Sequence, residues 1–230
     1  MDKLDIDRIV FLGRTYAEYM DIFDLDDTLL TKGPVLDCAA GSSSFTAEAR
    51  QKGFDVSACD VMYGQNSFDL FKKGQEDIRH VFKKFDEAAH QYKWGYYTDK
   101  EHVMGLRKKA FGGFIKDLVR NKKSGIYREA ELPKLPYPDN AFELVLSGHF
   151  LFLYGDRLDR DFHMKCLEEL IRVSANEVRI FPLSGLDAKP YEHLGDILEF
   201  LSGKGIEAEV VRVPFEFQIG GNNMLRIKKV

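Results

Sequence analysis

The chain has 230 residues, 44% of them hydrophobic, which is enough for one α/β domain with a full core. Its net charge of −4 argues against a protein that coats nucleic acid with its whole surface. The three cysteines lack Cys-x-x-Cys spacing, so we expect neither a metal site nor a disulfide framework. No stretch approaches the roughly 20 apolar residues of a membrane span and no secretory signal is evident, so we expect a cytoplasmic protein.

Residues 1–30 are predicted to form an N-terminal helical cap on the body of a single domain that covers residues 1–230. Within it, Tyr16, Tyr19, Met20 and Phe23 fall on one helical face, which indicates a helix packed against the rest of the protein.

Residues 34–60 have the pattern of a strand, a turn of small residues, a helix and a second strand. The first strand, over 35–39, is a short apolar run typical of a strand buried on both faces. The helix is predicted over 45–52 and ends at Gly53. The second strand ends on the carboxylate of Asp60, where doubly wound folds hold the hydroxyls of a ribose. This unit predicts a nucleotide-like ligand across the first turn.

Residues 62–124 are predicted to be a helical insertion, with helices over 67–73, 75–92 and 99–122, the last bent at its paired glycines. Residues 72–128 carry fifteen Lys or Arg and seven Asp or Glu, a balance of +8 that leaves −12 for the rest of the chain. Two interpretations stay open: the aromatic and basic side chains dock the insertion on the sheet, or they form a lid over an anionic acceptor.

The remaining elements alternate between strands and helices and finish with a hairpin. We predict strand 3 over 125–132, strand 4 from 142, a helix over 161–173, strand 5 over 177–183, a helix over 191–204, and two final strands over 207–217 and 224–230.

Two motifs carry a resemblance to a known family. Residues 37–43, D-C-A-A-G-S-S, resemble the D/E-x-G-x-G-x-G turn of class I S-adenosylmethionine-dependent methyltransferases, with Ala39 and Ser43 in place of two glycines. Residues 135–145, L-P-Y-P-D-N-A-F-E-L-V, resemble the segment L-P-F-P-D-N-S-F-D-L-V that leads into strand 4 of the same family. The resemblance implies an α/β, Rossmann-like, doubly wound sheet of seven mostly parallel strands with a C-terminal antiparallel hairpin.

The resemblance also implies roles for particular residues. It places the methionine part of S-adenosylmethionine along the first turn, the ribose on Asp60, and the adenine between Glu131 and Leu132, with Glu129 as the alternative register. Arg14, in the N-terminal cap, is a candidate partner for the methionine carboxylate. The full predicted cofactor set is Arg14, Asp37, Ala39, Ala40, Gly41, Ser42, Asp60, Val61, Glu131, Leu132, Ser147 and Gly148.

Strand 4 ends at Ser147, Gly148 and His149, where the reacting methyl group is expected. His149 is the candidate general base; alternatively it only shapes the pocket, since methyl transfer can proceed by alignment of the reactants. The expected reaction is in-line displacement at the sulfonium methyl. The expected acceptor is an unidentified small molecule, anionic if the insertion is a lid, with RNA less favoured; the sequence leaves the oligomeric state open.

Two other functions stay open at this point. One is a non-catalytic S-adenosylmethionine-binding regulator or partner protein of the same fold, which the altered glycines support. The other is a nicotinamide-dependent oxidoreductase with a degenerate G-x-G-x-x-G fingerprint, which the segment at 135–145 opposes.

Overall fold

The computed structural model describes residues 6–229, and all of its strands belong to one seven-stranded sheet. In chain order, the strands are β1 Val35–Cys38, β2 Val56–Asp60, β3 Tyr127–Glu129, β4 Phe142–Gly148, β5 Ser174–Phe181, β6 Glu207–Arg212 and β7 Asn223–Lys228. Their order across the sheet is β3-β2-β1-β4-β5-β7-β6. The first five are parallel, and β7 is antiparallel to both of its neighbours. This arrangement confirms the predicted fold class. Residues 1–5 of the predicted cap and Val230 of the predicted last strand lie outside the described residues.

Seven α-helices cover both faces of the sheet within the described part of the chain. They are α1 Tyr16–Ile22, α2 Asp27–Leu30, α3 Phe45–Gln51, α4 Ser67–Lys84, α5 Lys100–Asn121, α6 Arg160–Val173 and α7 Leu194–Gly203, with 3-10 turns at Val61–Gly64 and Phe85–Gln91. Alternate residues of β4 pack into two separate cores: Leu144 and Leu146 face α1–α5, while Val145 faces α6 and α7. No helix between residues 6 and 229 has the length and apolarity that a membrane crossing requires.

The insertion differs from the prediction at Gly74. The predicted helices over 67–73 and 75–92 form one helix, α4, which runs through Gly74 and gives way to a 3-10 turn only at Phe85. A Cβ at Gly74 would overlap the ring of Phe111 on α5, so this glycine allows close packing of the two helices instead of breaking one. The predicted bend at Gly112 and Gly113 does not interrupt α5.

The predicted strands over 125–132 and 207–217 are each five residues longer than the observed β3 and β6. β3 ends at Glu129 because the chain turns at once, with Glu131 bridged to Lys134. β6 ends at Arg212, before Pro214, which has no amide hydrogen for the ladder. The predicted tight hairpin is therefore a longer loop over 213–222, and it carries Phe215 and Phe217 toward the insertion.

Residues 6–15 form an extended segment, which we call the strap, between the first turn of the sheet and the insertion. Asp77 on α4 anchors it: its carboxylate accepts hydrogen bonds from the amide of Phe11 at 2.7 Å and from the guanidinium of Arg8 at 2.9 Å. Residues of the strap alternate in environment, since Phe11, Gly13 and Thr15 are buried whereas Val10, Leu12 and Arg14 are half-buried. An extended chain presents successive side chains to opposite sides, so the strap has one buried face and one half-buried face.

A buried ion pair joins the strap, α1 and α5. Glu18 on α1 pairs with Arg107 on α5, both almost fully buried, and the Tyr97 hydroxyl donates to the same carboxylate. Arg107 also donates to the carbonyl of Gly13 at 2.8 Å, while Glu18 accepts from the amide of Thr15 at 2.8 Å. Burial alone would raise the pKa of Glu18, but the Arg107 guanidinium outweighs it and lowers the pKa to about 2.

Breaking this pair on one side should strongly destabilise the protein. We expect Arg107→Met to lower the free energy of unfolding by about 3 to 5 kcal/mol, because it leaves a buried carboxylate without its cation. The double variant Glu18→Gln/Arg107→Met should lose less than the two single variants added together. Since the pKa of Glu18 is depressed, the pair's contribution should be present above pH 4.5 and be lost as pH falls toward 2.

Urea denaturation of the single and double variants measures these effects. Arg160→Met is a matched control, because Arg160 and Asp196 form an exposed pair at 3.0 Å whose loss should cost under about 1 kcal/mol. Additive losses in the double variant would contradict a coupled buried pair.

Candidate functional site

The turn after β1 keeps glycine only where the backbone requires it. Gly41 has φ +56°, in the left-handed region, and a Cβ there would lie 2.9 Å from the carbonyl oxygen of Leu12. Neither Ala39 nor Ser43 has a positive φ. The two departures from the family's glycine pattern therefore cause no left-handed strain in this turn.

The serines of this turn hold the strap. Ser42 donates its hydroxyl to the carbonyl of Phe11 at 3.2 Å, and Ser43 donates to that of Arg14 at 3.0 Å. Ser44 donates its amide to the same Arg14 carbonyl at 3.0 Å. Ala40 and Ser42 are buried and Ala39 is half-buried. The hydroxyl of Ser42 is thus engaged by the strap, and its predicted contact with a cofactor stays a prediction.

Asp37 lies in β1 with no solvent exposure, and its carboxylate is only partly satisfied. One oxygen accepts a hydrogen bond from the Tyr19 hydroxyl at 3.1 Å, while Oδ2 has no hydrogen-bond partner among the described residues. Burial raises the pKa of Asp37 to about 8, and the nearby Asp60 carboxylate adds to this effect. A buried carboxylate with a free oxygen favours a cationic ligand.

Asp60 ends β2 beside the turn, as predicted. Its two carboxylate oxygens accept hydrogen bonds from the amides of Gly41 and Met62, each at 2.9 Å. These bonds fix the carboxylate against the first turn and leave lone pairs for a ligand. The next residue, Val61, is 49% exposed.

The predicted adenine residues lie at the same edge of the sheet. Asp60 is paired with Glu129, the last residue of β3, and the amide of Ala130 donates to the carbonyl of Asp60 at 3.3 Å. Glu131 follows as an exposed residue and Leu132 as a buried one. Glu129, the alternative register for the adenine contact, is thus next to Asp60, while the contact of Glu131 and Leu132 with the adenine stays a prediction.

β4 delivers Ser147, Gly148 and His149 next to the end of β1. Ser147 is buried, and its hydroxyl has no hydrogen-bond partner among the described residues. His149 has φ +56°, a strained value for a residue with a side chain, and its amide donates to the carbonyl of Phe181 at 2.6 Å. Burial lowers the pKa of His149 well below its usual value, and the positive charges of Arg14 and Arg107 lower it further. The imidazole is therefore neutral at physiological pH, and one of its ring nitrogens has a lone pair that can accept a hydrogen bond.

Arg14, on the half-buried face of the strap, is poorly paired. Within residues 6–229, its Nε has no hydrogen-bond partner, and Nη1 reaches only the carbonyl of Gly13 at 3.4 Å. Burial lowers the pKa of Arg14, and the Arg107 guanidinium lowers it further. A bound anion would relieve both effects.

A cavity of about 150 Å³ opens beside His149 and Arg14. The strap, α4, α5, the ends of β4 and β5, and the loop before β7 all contribute to its wall. Main lining residues are Val10, Leu12, Arg14, Phe82, Phe85, Val103, Arg107, His149, Phe181, Phe215 and Phe217. Asp37, Gly41 and Asp60 do not line it. Arg14 and His149 are thus the predicted site residues that border this cavity.

The site has the donors and acceptors that the methionine end of S-adenosylmethionine needs. Asp37 Oδ2 offers an acceptor for an ammonium group, Arg14 offers donors for a carboxylate, and Ser147 has an unused hydroxyl. These orphaned atoms fit the predicted cofactor. Among residues 6–229, no group of three or more His, Cys, Asp or Glu side chains could hold a metal ion.

Sequence reasoning missed the role of Tyr19 toward Asp37 and the buried pair of Glu18 with Arg107. A signal for Arg107 exists: Val103, Arg107, Ala110 and Phe114 recur at helical spacing, which places the arginine on the buried face of α5. For Tyr19 the sequence indicates only its place on an apolar helical face, because its contact with Asp37 joins separate parts of the chain.

Comparisons with known proteins give a relative and several distant structures. No family model matches the chain. Over 230 residues, all of both chains, it is 32% identical to the uncharacterized protein MJ0045 of Methanocaldococcus jannaschii. The magnesium protoporphyrin IX methyltransferase of Synechocystis PCC 6803 with bound SAM is 12% identical, with a TM-score of 0.48, over 89% of this chain and 73% of that one. A SAM-dependent methyltransferase of Aquifex aeolicus is 19% identical, with a TM-score of 0.41, over 92% and 91%.

The pKa of Asp37 makes the stability of the ligand-free protein depend on pH. Because this pKa is raised, the group's contribution is fully present below pH 3.8 and is lost as pH rises through about 8. Asp37→Asn has no charge to bury. Between pH 5 and pH 9 its free energy of unfolding should therefore rise by at least about 1 kcal/mol relative to that of the wild type. Denaturation at several pH values measures this, with exposed Asp55→Asn as the control. Parallel pH profiles for Asp37→Asn and wild type would contradict a buried, protonated Asp37.

The backbone strain at His149 predicts an inverted order of stability. In regular secondary structure a protein with alanine is ordinarily more stable than one with glycine at the same position. At φ +56°, however, glycine is the residue that adopts the backbone conformation without strain. We expect His149→Gly to be more stable than His149→Ala by about 1 kcal/mol, measured by thermal unfolding. The ordinary order would show that the left-handed backbone is not imposed by the fold.

Proposed function

We propose that this chain, which belongs to the same family as the uncharacterized protein MJ0045, is an S-adenosylmethionine-dependent methyltransferase. The observation that carries the proposal is a set of buried polar atoms at the carboxyl ends of neighbouring strands that find no partner in the described part of the chain. These atoms are Asp37 Oδ2 on β1 and Ser147 Oγ on β4, with Arg14 Nε on the adjoining strap. Buried polar groups are nearly always hydrogen-bonded, so such a set indicates a missing polar ligand.

Each end of the cofactor has residues suited to hold it. Arg14 would bind its carboxylate and Asp37 its ammonium group, because each has an atom without a hydrogen-bond partner among the described residues and the ammonium charge would favour the ionised form of Asp37. Asp60, fixed by two backbone amides, would accept hydrogen bonds from the ribose hydroxyls. The adenine would lie between exposed Val61 and the residues Glu131 and Leu132.

Bound S-adenosylmethionine supplies a methyl group on a positively charged sulfonium. The protein itself would hold the two reactants in position and would provide a proton acceptor. The strap and the insertion close one side of the site, which excludes water and holds the reactants in orientation, an effect worth up to about 7 to 11 kcal/mol in intramolecular models. Neutral His149 lines the acceptor cavity and would take the proton that a hydroxyl, thiol or amine of the acceptor loses.

A small molecule fits this acceptor site better than RNA. The cavity holds about 150 Å³, and Arg107, the insertion's only Lys or Arg side chain on its wall, is already paired with Glu18. A nucleic acid would instead require basic side chains along an open groove.

Isothermal titration calorimetry tests the proposal. Wild-type protein should bind S-adenosylmethionine and S-adenosylhomocysteine but not NADH, and Asp60→Ala should weaken binding by at least about tenfold, or 1.4 kcal/mol. Arg14→Gln should weaken both sulfur ligands, and Arg14→Lys should recover part of the loss because it restores the charge.

Asp55→Ala is the matched control, since Asp55 lies just before β2 and is well exposed, and it should bind like wild type. No binding of either sulfur ligand, or binding unaffected by Asp60→Ala and Arg14→Gln, would contradict the proposed site. Binding without methyl transfer to any acceptor would favour the regulatory alternative.

A further inference from the structure

The wall of the cavity beside His149 is dominated by aromatic and aliphatic side chains. Tyr92 and Phe217 stack with ring centroids 4.6 Å apart and planes 9° apart, and Phe85 lies 4.5 Å from Tyr92. All three line the cavity, together with Phe82 and Phe215. Apolar cavities of about 150 Å³ are known to take up a single benzene ring.

The charged groups on this wall are few and mostly engaged. No Lys, Asp or Glu lines the cavity among the described residues. Arg107 is occupied by Glu18 and by the carbonyl of Gly13. Arg14 has unused donors, but under the proposed function they bind the cofactor's carboxylate. The acceptor then meets no unpaired lysine or arginine charge and no carboxylate.

The lysines of the insertion lie elsewhere. Lys72 is over the exposed ring of Phe68 at 4.3 Å, Lys93 pairs with Glu216 at 2.6 Å, and Lys100 pairs with Asp86 at 2.7 Å. Apart from Arg107, which is paired with Glu18, no Lys or Arg of residues 72–128 lines the cavity, so the excess positive charge of this range gives no support to an anionic acceptor.

We propose that the cavity selects an uncharged acceptor built on a single aromatic ring, whose hydroxyl, thiol or amine group faces His149. The proposal rests on the proposed function, because it assigns Arg14 to the cofactor. Burying a charged group in this cavity without a partner is costly, whereas a ring gains contact with the walls of Phe85, Tyr92 and Phe217.

Calorimetry with three probes of one size tests the proposal. With S-adenosylhomocysteine at saturation, p-cresol should bind at least about tenfold more tightly than 4-hydroxybenzoate or 4-hydroxybenzylamine, which carry a negative and a positive charge. Leu12→Trp or Leu153→Trp should abolish p-cresol binding, because both side chains line the cavity. Ile9→Trp is the matched control on the strap, as Ile9 is 46% exposed and does not line it.

The outcomes separate this proposal from the proposed function. Retained binding of S-adenosylhomocysteine by the tryptophan variants shows that they are folded. If S-adenosylhomocysteine binds but 4-hydroxybenzoate binds more tightly than p-cresol, or no probe binds, the acceptor proposal is wrong and the cofactor site stands. If S-adenosylhomocysteine fails to bind, the proposed function is wrong. In that case, titration of the ligand-free protein with the same three probes shows which of them the cavity itself prefers. Tighter binding of 4-hydroxybenzoate than of p-cresol would overturn the proposal.

Discussion

The buried pair of Glu18 and Arg107 is the contact on which the site depends. It joins α1 to α5, and through the carbonyl of Gly13 and the amide of Thr15 it also fixes the end of the strap. The strap in turn separates two environments: its buried face closes the first turn of the sheet, and its half-buried face lines the cavity. Because an extended chain alternates its side chains, Arg14 necessarily faces the cavity when Gly13 packs on the turn.

This arrangement brings unpaired polar groups and backbone strain together at the carboxyl ends of β1 and β4. Asp37 is buried with an unused oxygen, half-buried Arg14 has a buried Nε without a partner among the described residues, and His149 has a left-handed backbone. Each feature lowers the stability of the ligand-free protein, and each would be relieved or used when a zwitterionic ligand binds. Strain and unpaired polar atoms held by a rigid sheet are typical of binding and catalytic sites. The hydrogen-bonded turn at Gly41 and Asp60 shows the contrast, because there every charged atom has a partner.

The sequence predicts the sheet well because its signals are local. The apolar run before the turn, Gly41, Gly53 and the Pro-Tyr-Pro-Asp-Asn segment each act through neighbouring residues, and the strand order agrees with the resemblance they carry. The predictions from sequence fail where contacts between residues far apart in the chain determine the structure. Gly74 continues a helix because Phe111 needs the space, and the strap is ordered by Asp77 and Arg107, far along the chain. The lysine-rich composition of the insertion suggested an anionic acceptor, but which face of a helix meets a cavity depends on tertiary packing.

A crystal structure of the protein with S-adenosylhomocysteine tests the central claim most directly. The account predicts the ligand's carboxylate on Arg14, its amino group on Asp37, its ribose on Asp60, and its sulfur beside Ser147 and His149, with the apolar cavity left free for an acceptor. A ligand bound elsewhere would contradict the account. So would a ligand that fills the cavity lined by Phe85 and Phe217 while Asp37 keeps its unpaired oxygen.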